Sequence, residues 1–208
     1  MKSLTKSIIF DLGGVLVPEA GSLIEKIIAS QLDISLEKLE GLSADLKLRA
    51  TIGEITLLAF YEQIILRANS QINSVRLLNL HLFEYERTST LRDSKILNLF
   101  EEIKNRGHNL ACLTNTEIEI AQFNRERGLF DYFGKYAFLS TEMKKRKPQP
   151  EIYLEVAEKM NCLTREYVFI DDKLEYVESA IKTGMRGIVY KNAEQLVKEL
   201  KKYEVNLK

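Results

Sequence analysis

The chain has 208 residues, room for one full core and a modest insertion, and 45% of them are hydrophobic. Its 30 basic residues balance 30 acidic ones, so no global field draws it to nucleic acid or an anionic membrane, and any anion site has to be local. Ahead of Asp11 the apolar stretch is only Ile8 to Phe10, too short for a signal-peptide core or a membrane span, so the protein is expected to be cytoplasmic.

Ser7 to Leu12 reads as a buried strand, short and apolar, that delivers Asp11 to the Gly13-Gly14 turn. Ligands of open α/β sheets bind at that edge, so Asp11 is a candidate for chemistry as well as for turn capping. About 70 residues of helical pattern follow, far more than one crossover needs. Their stripes are Leu23, Ile24, Ile27 and Ile28, then Leu36, Leu39, Leu42 and Leu46, then Leu58, Tyr61, Ile65 and Ala68, then Val75, Leu78 and Leu82. Gly41 and Gly53 mark breaks, Thr56 is placed to cap a helix, and the apolar residues are expected to form the bundle's own core. Glu19 and the Arg49 to Glu54 segment are the polar stretches that could face a site.

Beyond this interval, Lys95 to Arg106 spaces Ile96, Leu99, Phe100 and Ile103 as a helix that stops at Gly107. Strands are expected at Asn109 to Thr114, Tyr136 to Ser140, Tyr167 to Asp172 and Gly187 to Tyr190, with helices at Glu151 to Met160 and Glu175 to Lys182. The fold class is therefore α/β, a parallel sheet covered on both faces and interrupted by a helical insertion. Cys112 and Cys162 lie far apart among apolar residues, as reduced, buried thiols do. His81 and His108 are expected to be structural or solvated, which argues against a histidine relay. In the basic run Met143 to Lys147, Lys144, Lys145 and Arg146 read as solvated, and Lys147 stands out because a proline follows it.

Each strand end contributes a distinct group: Asp11, then Thr114-Asn115, then Lys147 beyond the third strand, then Asp171-Asp172. Thr116 or Asn115 is expected to cap the helix that follows the second strand, its N-terminus facing a phosphate. A nucleophilic carboxylate, a hydroxyl, an ammonium and a carboxylate pair are what an aspartyl-phosphate mechanism requires, with Mg²⁺ held between Asp11 and Asp172. Paired carboxylates such as Asp171 and Asp172 repel unless a cation joins them.

In this order the segments Asp11-Leu12-Gly13-Gly14-Val15, Leu113-Thr114-Asn115, Arg146-Lys147-Pro148 and Phe169-Ile170-Asp171-Asp172 resemble the four motifs of the haloacid dehalogenase-like hydrolases. The resemblance implies a Rossmann-like core (residues 1–17 and 91–208), a helical cap (18–90) and Mg²⁺-dependent hydrolysis of a small phosphorylated metabolite. It also implies Asp11 as nucleophile and metal ligand, and Lys147 as a catalytic and substrate-binding residue beside Thr114 and Asn115. The Gly13 carbonyl and Asp172 would be further ligands, with Asp171 acting through water. Thr114-Asn115-Thr116, Lys147-Pro148 and Ile152-Tyr153 resemble a sugar-phosphatase branch that includes an α-glucose-1-phosphate phosphatase. Two positions depart from the family: Gly13 stands where its phosphatases usually carry a second Asp as general acid, and Tyr176 where Asp or Asn is common. A non-catalytic phosphate-binding member and a dehalogenase are the alternatives. The dehalogenase leaves the acidic pair without a task, and the binding module leaves the nucleophile without one.

Overall fold

The computed structural model describes residues 5–90, 94–205 and 207. The expected core boundary at residue 91 and the residues Met1 to Leu4 lie outside that set. Strand β1 (Ser7–Phe10) is buried at every residue and sits at the centre of a five-stranded parallel sheet. Its neighbours are β2 (Asn109–Thr114) and β4 (Tyr167–Asp171); β3 (Ala137–Leu139) and β5 (Arg186–Val189) form the edges, giving the order β3-β2-β1-β4-β5. Phe10 lies level with Cys112 on one side and Ile170 on the other, so the first residues past β1, β2 and β4 emerge together.

Alternation along β1 divides the core. Ile8 and Phe10 pack with Phe100 of α5 (Ser94–Asn105) and Leu196 and Leu200 of α10 (Ala193–Lys202). Ile9 faces the other way, toward Tyr153 of α8 (Pro150–Lys159) and Val177 and Ala180 of α9 (Leu174–Lys182). With both faces covered the strands can be apolar throughout, as the sequence reading required. The first strand ends at Phe10, two residues early, because Leu12 to Val17 turn back on themselves: Leu16 N–H donates to the Leu12 carbonyl and Gly14 N–H to that of Val17.

Four helices separate β1 from α5: α1 (Gly21–Gln31), α2 (Leu36–Thr51), α3 (Leu57–Ala68) and α4 (Ser74–Thr88), and their buried residues form a cluster that Ile120 also joins. Thr56 caps α3 by accepting from Ala59 N–H, as expected. Gly41 does not break a helix; it is absorbed inside α2, and the break falls at Gly53, whose φ is +68°. The buried face of α3 is Leu57, Phe60, Tyr61 and Ile64, one step round from the predicted stripe. Leu-Leu-Ala-Phe-Tyr and Ile-Ile-Leu offer two apolar faces, and packing against the neighbouring helices selects one. The sequence reading passed over α10, where Asn192 caps the helix on Gln195 N–H and Leu196 and Leu200 carry the buried stripe. Among the described residues, no helix is long and apolar enough to cross a membrane.

Candidate active site

The backbone N–H of Asp11 donates to the Ile170 carbonyl, which fixes the start of the loop directly beside the end of β4. Lys147 reaches the same place from the loop after the short helix α7 (Ser140–Met143), with its side chain 1% exposed. Its Nζ lies 2.7 Å from Asp11 Oδ1 and 2.6 Å from Asp171 Oδ2, so one ammonium bridges two carboxylates. Asp171 Oδ1 is taken by the Lys173 N–H at 2.9 Å. Asp171 is therefore held by two contacts as the counter-ion of Lys147 and the brace of the following turn.

Asn115 acts on the other end of Lys147. Its Oδ1 accepts from Lys147 N–H and its Nδ2 donates to the Lys147 carbonyl, both at 2.9 Å, so the amide clamps the main chain that aims the ammonium. Thr114 is buried at the end of β2, and its hydroxyl makes only a long 3.4 Å bond to the Asn115 carbonyl. Neither Asn115 nor Thr116 caps α6 (Ile118–Glu126), contrary to expectation: the cap position falls on Glu117, and Thr116 N–H is bound by Ser140 Oγ.

Asp11, Asp171 and Asp172 each offer an oxygen within 4.8 Å of the others. Three carboxylates around one lysine leave excess negative charge in a buried place, which is what a divalent cation neutralises. Asp172 Oδ1 is buried with no hydrogen-bond partner among the described residues. Gly14, with φ +81°, clears the space: a Cβ there would lie 2.1 Å from Asp172 Oδ2. The neighbouring Gly13 is different, since a Cβ there meets nothing within 4 Å. The residues thus fit Mg²⁺, an ion satisfied by one or two carboxylates and several waters.

Burial pushes the Asp11 carboxyl up to about 7, against the pull of the Lys147 ammonium and with a further push from Asp171. For Lys147 burial works against the charge, and the attraction of Asp11 and then Asp171 overcomes it, so the ammonium persists well above its usual range. Burial, then the charge of Asp171, raises the Asp172 carboxyl as well.

A cavity of about 310 Å³ opens from Asp11, Thr114 and Lys147 and runs between α1, α2, α3 and α4. Several of its residues were not singled out as functional by their sequence. His81, expected to be structural or solvated, lines this cavity with Nδ1 2.7 Å from the Tyr61 hydroxyl. Burial lowers its imidazole to about 4, so it is neutral near pH 7. His108 is structural, its Nδ1 2.8 Å from the Thr5 carbonyl oxygen. Arg146, read as solvated, also lines the cavity, as does Tyr176, whose ring centre lies 5.2 Å from Lys147 Nζ.

Glu19 lines the cavity, as anticipated, with its carboxylate already engaged. Its carboxylate binds the N–H groups of Gly21 and Ser22 and closes the start of α1. Arg49 and Glu54 pair with each other at 3.4 Å on the surface, and that segment lines the cavity through Ala50 and Thr51. The same segment is fastened to the sheet domain: Glu119 accepts from Leu57 N–H at 2.9 and 3.0 Å, Lys144 donates to the Gly53 carbonyl, and Ser140 Oγ to that of Thr51. Partners this far apart in sequence leave no local pattern. Both cysteines are free; Cys112 is buried and Cys162 only partly so.

Known proteins share this fold and parts of this sequence. A family enzyme of Bacteroides thetaiotaomicron, solved in complex with magnesium and inorganic phosphate, superposes with a TM-score of 0.70 over 90% of this chain and 94% of its own at 22% identity. Flavin mononucleotide hydrolase 1 of Arabidopsis thaliana is 39% identical over 72 residues, 35% of this chain and 29% of that protein. The sesquiterpene phosphatase astK of Aspergillus oryzae is 33% identical over 106 residues, 49% of this chain and 52% of that protein. The chain thus spans about half or less of these curated relatives. Residues 5–184 match the family of haloacid dehalogenase-like hydrolases, and with the ordered motifs brought to one sheet edge, the chain belongs to that family.

Proposed function

We propose that the protein is a Mg²⁺-dependent hydrolase of small phosphomonoesters working through an aspartyl-phosphate on Asp11, with α1 to α4 (residues 18–90) as its cap over a core of residues 1–17 and 91–208. The observation that carries this is the buried Lys147 held between Asp11 and Asp171, next to an unpartnered oxygen of Asp172. A binding module has no need of a nucleophile so placed. The magnesium-and-phosphate complex of the Bacteroides enzyme and the hydrolase and phosphatase activities named for the two relatives support the reading.

An Asp11 oxygen attacks phosphorus, the bond to the leaving oxygen breaks, and that oxygen takes a proton from solvent. Water then attacks the same phosphorus, releasing phosphate and restoring the carboxylate. Lys147 holds charge on the transferring oxygens, the Thr114 hydroxyl adds a donor, and Asn115 fixes the lysine's main chain. Asp172, Asp11 and the Gly13 carbonyl would hold Mg²⁺, with Asp171 through water, and the ion supplies charge neutralisation between carboxylate and phosphoryl oxygens when bound. The substrate expected from the subgroup resemblance is a sugar phosphate.

The test is phosphate release from p-nitrophenyl phosphate with Mg²⁺, with chelator, and in Asp11→Asn. Release should need the metal and vanish in the variant. Turnover that persists with chelator or with Asn at position 11 overturns the mechanism.

A further inference from the structure

The cavity above the carboxylates is not uniform. At its sheet end stand Asp11, Arg146, Lys147 and Lys173. Between the helices its wall is Ile24 and Ile28 of α1, Leu39 and Ala50 of α2, and Phe60 and Ile64 of α3, all buried. The sequence assigns these side chains to the bundle's own packing, yet packed cores leave few voids larger than a water, whereas about 310 Å³ falls at the lower end of ligand-pocket volumes. It is roughly the volume of ten waters.

Several polar groups in that inner wall already have a partner, while Glu117 also lines it with a carboxyl that burial holds above the usual carboxylate range. Tyr61 pairs with His81 at 2.7 Å, Tyr85 Oη accepts from Asn124 Nδ2 at 2.8 Å, and Thr51 Oγ1 donates to the Lys47 carbonyl at 2.8 Å. Glu25 and Lys47 close on each other at 2.6 Å. A polyhydroxylated sugar needs a partner for each hydroxyl it buries, and the aliphatic and aromatic side chains that make up most of this wall supply none. An apolar body needs none, and a dry apolar wall joined to a cationic end sorts a molecule with a charged head and a greasy tail.

We infer that the chamber takes the leaving group of a phosphomonoester of a largely apolar alcohol, its phosphate at Lys147 and its hydrocarbon body among α1, α2 and α3. This substrate class rests on the hydrolase reading above and sets aside the sugar phosphate that the subgroup resemblance suggests. His81 and the Tyr61 hydroxyl form a neutral polar pair in the inner wall.

The experiment uses linear alkyl phosphates from ethyl to octyl with Mg²⁺, a series in which the acidity of the departing oxygen is nearly constant and only the tail grows. kcat/KM should climb about fourfold per added methylene until the chamber fills, then level off. The matching alkylphosphonates, titrated calorimetrically with Mg²⁺ present, should show the same slope in Kd, a readout that does not depend on turnover. Ala50→Leu, which fills space in the wall, should move the best tail length to a shorter alkyl group. No dependence on tail length in either series, or a glucose phosphate turned over more than tenfold faster than the best alkyl ester, overturns the inference. If every ester, p-nitrophenyl phosphate included, is inert, the hydrolase reading fails and the phosphonate series still decides the chamber.

Discussion

Gly13 and Gly14 are adjacent, identical in sequence and opposite in what they tolerate. Gly14→Ala places a methyl 2.1 Å from Asp172 Oδ2 and 2.3 Å from its Cγ, at a backbone φ of +81°. Left-handed backbone alone costs an alanine about 1 to 2 kcal/mol, which for a chain of this size lowers Tm by roughly 2 to 8 °C. The carboxylate must also retreat by more than about 1 Å to reach ordinary contact. A displacement of that size at a reacting centre costs on the order of 10²-fold in rate. Gly13→Ala meets nothing within 4 Å and lies outside the left-handed region, so its melting temperature should stay close to that of the parent. The assay pairs a thermal melt with a Mg²⁺ titration of p-nitrophenyl phosphate turnover. Gly14→Ala should lose about 10²-fold in kcat/KM and require far more metal. Equal behaviour of the two alanine variants would refute the argument, since it would mean that neither glycine clears space for Asp172.

The other expectations concern the charged cluster and its supports. Asp172→Asn should weaken metal binding so that excess Mg²⁺ restores part of the rate, while Lys147→Met removes the ammonium between Asp11 and Asp171 and should not respond; identical metal titrations would show that the division of roles is mistaken. Asn115→Ala deletes two hydrogen bonds to the Lys147 main chain, each worth about 1 kcal/mol, and should lower kcat more than it raises KM; a pure KM effect would make Asn115 a substrate contact instead. Because burial lifts Asp11 to about 7 from an ordinary value near 4, the metal-free folded protein holds a proton between those values that the unfolded chain has lost. Its Tm should therefore fall as pH rises from about 5 to about 7.5, Mg²⁺ should stabilise most at the upper end, and Asp11→Asn should flatten the profile; a metal-free Tm that climbs across this window contradicts the sign.

Much of the site was legible because each part sits at the end of a short apolar run, and such runs become buried parallel strands wherever helices cover both faces. The order of Asp11, Thr114, Lys147 and Asp171-Asp172 along the chain thus carried the chemistry before any contact was known. What escaped was set by long-range packing. His81 lies on a polar-looking helix and faces the cavity only because α3 brings Tyr61 to it; Arg146 and Tyr176 gain their positions from the same closure. The predicted caps at Asn115 and Thr116 failed for a related reason: Asn115 Oδ1 accepts from Lys147 N–H, and the cap position itself falls one residue later, on Glu117.

By itself the sequence determined the alternation of strands and helices, the length of the helical interval and the identity of the groups at the sheet edge, because periodicity and glycine placement are local properties of the chain. Only the tertiary structure decided that Asn115 braces Lys147 and Asp171 balances its charge. It likewise decided that Gly14, and not Gly13, makes room for Asp172. It also decided that an apolar chamber lies where the helical stripes alone predict a closed core. Each of those depends on distances between residues far apart in the chain, and burial strengthens or removes interactions according to those distances, which no spacing along the sequence records.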